Sequence, residues 1–214
     1  SSQELYWYDV ILEVDGTNSD EFEETVDTYY SSVDFPEGVN MSFSSINLKG
    51  QGFKETHILS FVSPSSQSLA NLRASLSGEK WENYLDLVGP FVENVRVSAG
   101  NATQVYNPEQ FYPIGQVWSF KVKSKHVPQF SQAFAKLMQT FEAPGFVGLA
   151  NVTHGISNGE NLLIYGTYPN LNSAFTFGPK NENEVKAFSV FNDLVGDISE
   201  FTQSWTRVLI KSYE

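Results

Sequence analysis

The chain has 214 residues, of which 41% are hydrophobic and 14% aromatic, so it can bury a large core and is not intrinsically disordered. Its formal net charge is -12 and its 13 Lys and Arg residues form no basic cluster, which predicts no nucleic-acid partner. It has no cysteine and no apolar run of membrane-spanning length, which excludes disulfides, thiolate metal sites and a membrane-spanning helix.

The first half of the chain begins with a strand pattern, residues 5 to 14, in which aromatic and β-branched residues alternate with other residues. Residues 17 to 33 then show helical spacing, and acidic side chains in the first turn suit a helix N-terminus. Two further strands are predicted at about 40 to 48 and 56 to 62, then a short apolar helix, a longer helix from Trp81 to Phe91, and a last strand from residue 94. The residues on one face of the first helix are Phe22, Val26, Tyr29, Tyr30 and Val33.

The second half repeats this order. A strand at 116 to 124 precedes a helix at 126 to 141, whose apolar positions each follow their counterparts by 108 residues. These positions are Phe130, Phe134, Leu137, Met138 and Phe141. Strands at about 146 to 154 and 161 to 168 are joined by a turn centred on Asn158-Gly159, a typical hairpin signal. Asp-Leu-Val-Gly occurs at 86 to 89 and again at 193 to 196, near the end of the second long helix of each half.

Each half therefore predicts the order β-α-β-β-α-β of the ferredoxin-like unit. We predict an α+β protein with one such repeat over residues 1–100, a linker over 101–114 and a second repeat over 115–214. A sheet with helices on one side leaves its other side to be covered. We expect the two repeats to pack sheet to sheet as an intramolecular α/β barrel, which favours a monomer.

This pattern of paired helices and strands resembles the dimeric α/β-barrel superfamily, in which two ferredoxin-like units enclose a shared cavity. The resemblance rests on the paired helices, Phe22 to Val33 with Phe130 to Phe141 and Trp81 to Phe91 with Phe188 to Ile198. It implies activities as varied as cofactor-independent monooxygenases, muconolactone-type isomerases and haem-binding relatives of chlorite dismutase. The fold alone selects none of these.

If the apolar faces of the two first strands lie against the helices, then Trp7 and Asp9 face the cavity in one half, and Lys121 faces it in the other. Carboxylates and amines in such a cavity have pKa values that burial can shift, and this is typical of functional sites. The candidate ligand-binding residues are Trp7, Asp9, Trp118, Lys121, Tyr165 and Arg207. The alternative is that these charges are solvated and that the aromatic rings only fill the barrel.

Three histidines are present, and we predict a surface position for His126. His57 and His154 lie near strand ends and are the candidate catalytic bases. No His, Asp or Glu spacing matches a metal-binding motif, so we predict no metal and no cofactor.

The leading hypothesis is a protein that binds a small apolar or aromatic molecule between the two sheets. The alternatives are a cofactor-independent monooxygenase or isomerase that acts on such a molecule, and a structural or interaction module with a filled barrel. A cysteine-free chain rich in Ser and Asn favours an exported protein, periplasmic or extracellular.

Overall fold

The computed structural model describes residues 4–214. Within them the chain forms eight β-strands and six α-helices, and none of these helices is long and apolar enough to cross a membrane. The strands are β1 (Leu5–Val14), β2 (Asn40–Lys49), β3 (His57–Ser63), β4 (Val92–Tyr106), β5 (Ile114–Val122), β6 (Val147–His154), β7 (Leu162–Tyr168) and β8 (Ser199–Tyr213). The helices are α1 (Ser19–Tyr30), α2 (Ser66–Ser75), α3 (Glu79–Val88), α4 (Val127–Met138), α5 (Leu171–Phe175) and α6 (Glu182–Val195).

The eight strands form one closed antiparallel barrel in the order β1-β3-β2-β8-β5-β7-β6-β4. The first four strands run β4-β1-β3-β2 and the last four run β8-β5-β7-β6, so both halves place their strands in the same order. The halves meet through hydrogen bonds between β2 and β8 and between β4 and β6. The two sheets are therefore joined edge to edge into one wall, and the closed barrel that the sequence predicted is confirmed. Closure leaves no strand edge unpaired.

The helices lie outside the barrel and cover its outer face. Phe22, Val26 and Tyr30 of α1 are buried against one set of strands, and Phe130, Phe134 and Leu137 of α4 are buried against the other. These are the faces that the helical spacing predicts. The other side of each strand points into the barrel, where two smaller apolar clusters centred on Ile11 and Trp7 lie.

The last strand of each half is longer than the sequence predicts. β4 continues to Tyr106, so residues 101–106 of the predicted linker are strand, and β8 begins at Ser199 instead of residue 204. Each of these strands has two partners, since β4 pairs with β1 and then β6, and β8 pairs with β5 and then β2. A strand that spans both halves needs this extra length. The repeated Asp-Leu-Val-Gly segments lie where α3 and α6 end, at Val88 and Val195.

Candidate functional site

The barrel encloses a cavity of about 680 Å³. A volume of this size is typical of small-molecule sites. It exists because many inward positions carry small side chains, where large ones would fill a barrel of eight strands. The small residues in the wall are Ser42, Ser60, Ser98, Ala102, Ser119, Gly148 and Ala150, and the larger apolar ones include Trp7, Ile11, Val117, Leu163 and Trp205.

A polar cluster of four side chains lies within this mostly apolar wall. Asp9 on β1 accepts a hydrogen bond from the Ser60 hydroxyl on β3, with 2.5 Å between the oxygens. Arg207 on β8 donates through Nε to the Tyr165 hydroxyl on β7 at 3.0 Å, and its guanidinium carbon lies 4.5 Å from the centre of the Tyr165 ring. The cluster therefore joins strands from both halves of the chain.

Burial changes the acid-base properties of this cluster. It raises the pKa of the Asp9 carboxyl above its ordinary value, and the positive charges of Arg207 and Arg96 offset part of that rise. Burial also raises the pKa of the Tyr165 phenol, while Arg207 lowers it. The pKa of Asp9 is therefore higher than that of an exposed aspartate, which makes its carboxylate a stronger base.

Two further side chains with polar groups line the cavity, Arg96 and Trp7. The Nε of Arg96 on β4 lies 2.7 Å from a Glu55 carboxylate oxygen, an ion pair that balances its charge, although this Nε makes no hydrogen bond of good geometry in the described part of the chain. The indole Nε1 of Trp7 is buried without a hydrogen-bond partner among residues 4–214. A buried N–H without an acceptor carries a cost in stability.

A second, more open cleft of about 1000 Å³ adjoins the cavity. Four residues line both spaces, and two of them, Gln203 and Glu160, are joined by a hydrogen bond of 3.2 Å. The remaining shared residues are Arg96 and Ser157. The cleft and the cavity therefore adjoin at these four residues.

Four of the six predicted ligand-binding residues line the cavity: Trp7, Asp9, Tyr165 and Arg207. Trp118 does not, because its side chain points outward and packs against Phe177, with 5.2 Å between ring centres. Lys121 does not either, since its aliphatic carbons lie beside Gly159 in the β6–β7 turn, beyond the end of the cavity. The predicted pairing of Asp9 with Lys121 is therefore wrong, and arginines supply the positive charge.

Neither candidate catalytic histidine reaches the cavity. His57 is buried on the outer face of β3, where it contacts Phe22 and Phe43 and lies 3.1 Å through Nε2 from a Glu23 carboxylate oxygen. His154 is exposed at the end of β6, beside Thr153. The structure therefore gives no support to either histidine as a base acting on a molecule inside the barrel.

Sequence reasoning missed Ser60 and Arg96 in the cavity wall, and it predicted Trp205 only as a strand aromatic that could fill the barrel or line a slot for a ligand. Ser60 lies in a strand that is apolar on both faces, so no alternation indicated which side it faces. Arg96 and Trp205 do alternate with their neighbours, and pairing β4 and β8 with correct register would have identified them. The described part of the chain has no cluster of three or more His, Asp or Glu side chains arranged to hold a metal ion.

No protein-family model and no curated protein matches this chain. Solved structures do match it. A "putative monooxygenase" from Fusobacterium nucleatum subsp. nucleatum has a TM-score of 0.67 and 14% identity, covering 99% of this chain and 94% of its own. A "putative monooxygenase" from Lactobacillus acidophilus has a TM-score of 0.68 and 12% identity, covering 98% and 95%. An "anthrone oxidase-like protein" has a TM-score of 0.63 and 10% identity, covering 99% and 93%.

The chain has the fold of these proteins. At such identities the likeness is one of fold, the α/β barrel that the sequence pattern resembles, and it assigns no activity. Because each match covers nearly all of both chains, the whole barrel is the shared unit and not one half of it.

Proposed function

We propose that this protein binds a small, partly aromatic molecule inside the barrel. The observation that carries the proposal is the cavity of about 680 Å³, whose mostly apolar wall contains one buried polar cluster that includes Asp9, Tyr165 and Arg207. A barrel that served only as a structural module would be filled by its own side chains. Apolar walls supply affinity for a flat ring, and a few polar groups fix its orientation.

The test is to fill the cavity. Ala150 is buried on the inner face of β6, so Ala150→Phe places a ring in the space the ligand would occupy. Ala74→Phe is the matched control, because Ala74 is exposed on α2. We expect 1-naphthol, titrated by calorimetry, to bind wild type and the control equally and the cavity variant at least about tenfold more weakly. Equal binding to all three proteins would contradict the proposal.

A second candidate is an oxygenase that works without a cofactor, and the buried Asp9 favours it. The matching proteins named as monooxygenases and as anthrone oxidase-like support this chemistry for the fold. Asp9 would remove a proton from an activated ring CH₂ group, and the carbanion would reduce O₂. For anthrone, CH₂ and O₂ give C=O and water, with both electron pairs coming from the substrate. Asp9 replaces His57 and His154 in this role.

Oxygen consumption with anthrone as the probe tests this second candidate. Asp9→Asn keeps an oxygen that can accept from the Ser60 hydroxyl but cannot take a proton. We expect it to lower the rate about 100-fold or more, a larger effect than any change in 1-naphthol binding. A rate equal to that of wild type would exclude Asp9 as the base, and no oxygen consumption by wild type would leave binding as the function.

We also propose that the chain is a tandem duplication, with repeats over 1–100 and 115–214 that act as one monomeric unit. The common strand order of the two halves and the constant spacing of their helices support this. Because a single chain closes the barrel, no second chain is needed to complete it. Sedimentation equilibrium should give the mass of one chain, 24.0 kDa.

A further inference from the structure

Arg207 carries hydrogen-bond donors that the protein does not use. Its side chain is buried, with 7% of its surface exposed, and it lines the cavity. Nε donates to Tyr165, and this is the only hydrogen bond of the guanidinium within residues 4–214. The two terminal amino groups thus have no protein acceptor. Because Arg207 lines the cavity, an anion bound there would supply acceptors for these amino groups and a counter-charge for the guanidinium.

The nearest carboxylate does not fill this role. Asp9 is held by Ser60, and no acidic side chain of residues 4–214 lies within ion-pair distance of Arg207. Burial shifts Asp9 toward its neutral form, which weakens it further as a counter-charge. Arg96 differs, since Glu55 already neutralises it. Arg207 is the cation of the cavity that lacks a paired anion.

The guanidinium is also held in a fixed orientation. Its guanidinium carbon lies 4.5 Å from the centre of the Tyr165 ring, and the hydrogen bond from Nε to the same side chain restrains it further. A planar fork with two free amino groups matches the two oxygens of a carboxylate, which it binds through parallel hydrogen bonds.

We infer that the ligand of this cavity is an aromatic carboxylate whose acid group binds the terminal amino groups of Arg207. The inference rests on the proposed function, since it names the chemical class of the molecule that the cavity holds. The apolar residues Trp7, Val117 and Trp205 contact the ring system, and the polar cluster sets which end of the ligand points toward β7 and β8.

Calorimetric titration with 2-naphthoate and 2-naphthamide tests this. The two probes have nearly the same shape and differ in charge. We expect wild type to bind the acid at least about tenfold more tightly than the amide, since hydrogen bonds to a charged group are the stronger ones. Arg207→Gln should abolish this preference, because it should weaken binding of the acid much more than binding of the amide. Arg96→Gln, the matched control, should keep it.

The outcomes separate the two proposals. If wild type binds both probes equally, the inference about Arg207 is wrong and the binding function stands. If wild type binds neither, both fail. Loss of the preference in Arg96→Gln but not in Arg207→Gln would also overturn the inference. Should Arg207→Gln not fold, Arg207→Lys keeps the charge without the fork, and we expect it to reduce the preference at least about threefold.

Discussion

His57 shows how one side chain can be buried and yet play no part in the cavity. Its Nδ1 lies 2.8 Å from the Thr56 hydroxyl and its Nε2 lies 3.1 Å from Glu23, while Phe22 packs against the ring at 5.0 Å between centres. Burial lowers the pKa of His57 below 6.5, and Glu23 offsets part of the shift. The residue joins α1 to the outer face of β3, so its contribution is to stability.

We expect His57 to make the free energy of unfolding depend on pH. Below pH 6.5 the unfolded chain binds a proton that the folded protein does not, so the free energy of unfolding falls as the pH falls toward the lowered pKa. His57→Gln should be less stable than wild type at about pH 8 but lose less stability between about pH 8 and about pH 5.5, by urea unfolding. His154→Gln should behave as wild type. An unchanged pH dependence in His57→Gln would contradict this account.

The face on which His57 lies could not be predicted because β3 is buried on both sides. Ile58, Leu59, Phe61 and Val62 form a nearly continuous apolar run, which is typical of strands covered by helices on one side and by a barrel interior on the other. β1 alternates more clearly, and there the inward placement of Trp7 and Asp9 was predicted correctly. The sequence pattern therefore predicted which side chains of β1 face the cavity, but not which side chains of β3 do.

Among the elements, the β4–β6 pairing that closes the barrel has the tightest contact. A Cβ added at Gly100 would overlap the backbone carbonyl of Asn151 on β6 and come within 2.8 Å of Cζ2 of Trp7. The pairing shifts register between Ala99 and Gly100, so glycine lies where the strands come closest. Helix spacing predicted α1 and α4, but this closure depends on residues about 50 positions apart, which no local pattern encodes.

Gly100→Ala should therefore destabilise the protein. Because the opposing atom is backbone carbonyl and cannot rotate away, we expect a cost of about 1–3 kcal/mol in the free energy of unfolding, measured with urea. We also expect weaker binding of 1-naphthol, since Trp7 must move. Gly50→Ala is the control, because nothing lies within 4 Å of a Cβ there. If the two variants were equally stable, the close approach of β4 and β6 would be disproved.

At the scale of the whole molecule, the two halves depend on each other. The β2–β8 and β4–β6 pairings join them, and the inner wall mixes residues of both, such as Ile11 with Trp205 in one cluster. Separating the halves would expose four strand edges and the apolar wall of the cavity. The helical layers, in contrast, are separate, because α1 packs with α3 and α4 packs with α6. The barrel is therefore the element that couples the two layers.

We expect the protein to unfold in one step for this reason, and its tryptophans allow a direct test. Trp81 on α3 packs in the helical layer of the first half, and Trp118 on β5 packs against Phe177 in that of the second. Two variants, each retaining only one of these and carrying Phe at the other three tryptophan positions, would report on one layer each. In each variant, the urea midpoint measured by fluorescence should agree with the midpoint measured by far-UV circular dichroism. A Trp81 or Trp118 transition at lower urea than the circular dichroism transition would mean that one half opens while the other stays folded. In that case closure of the barrel would not make the chain a single cooperative unit.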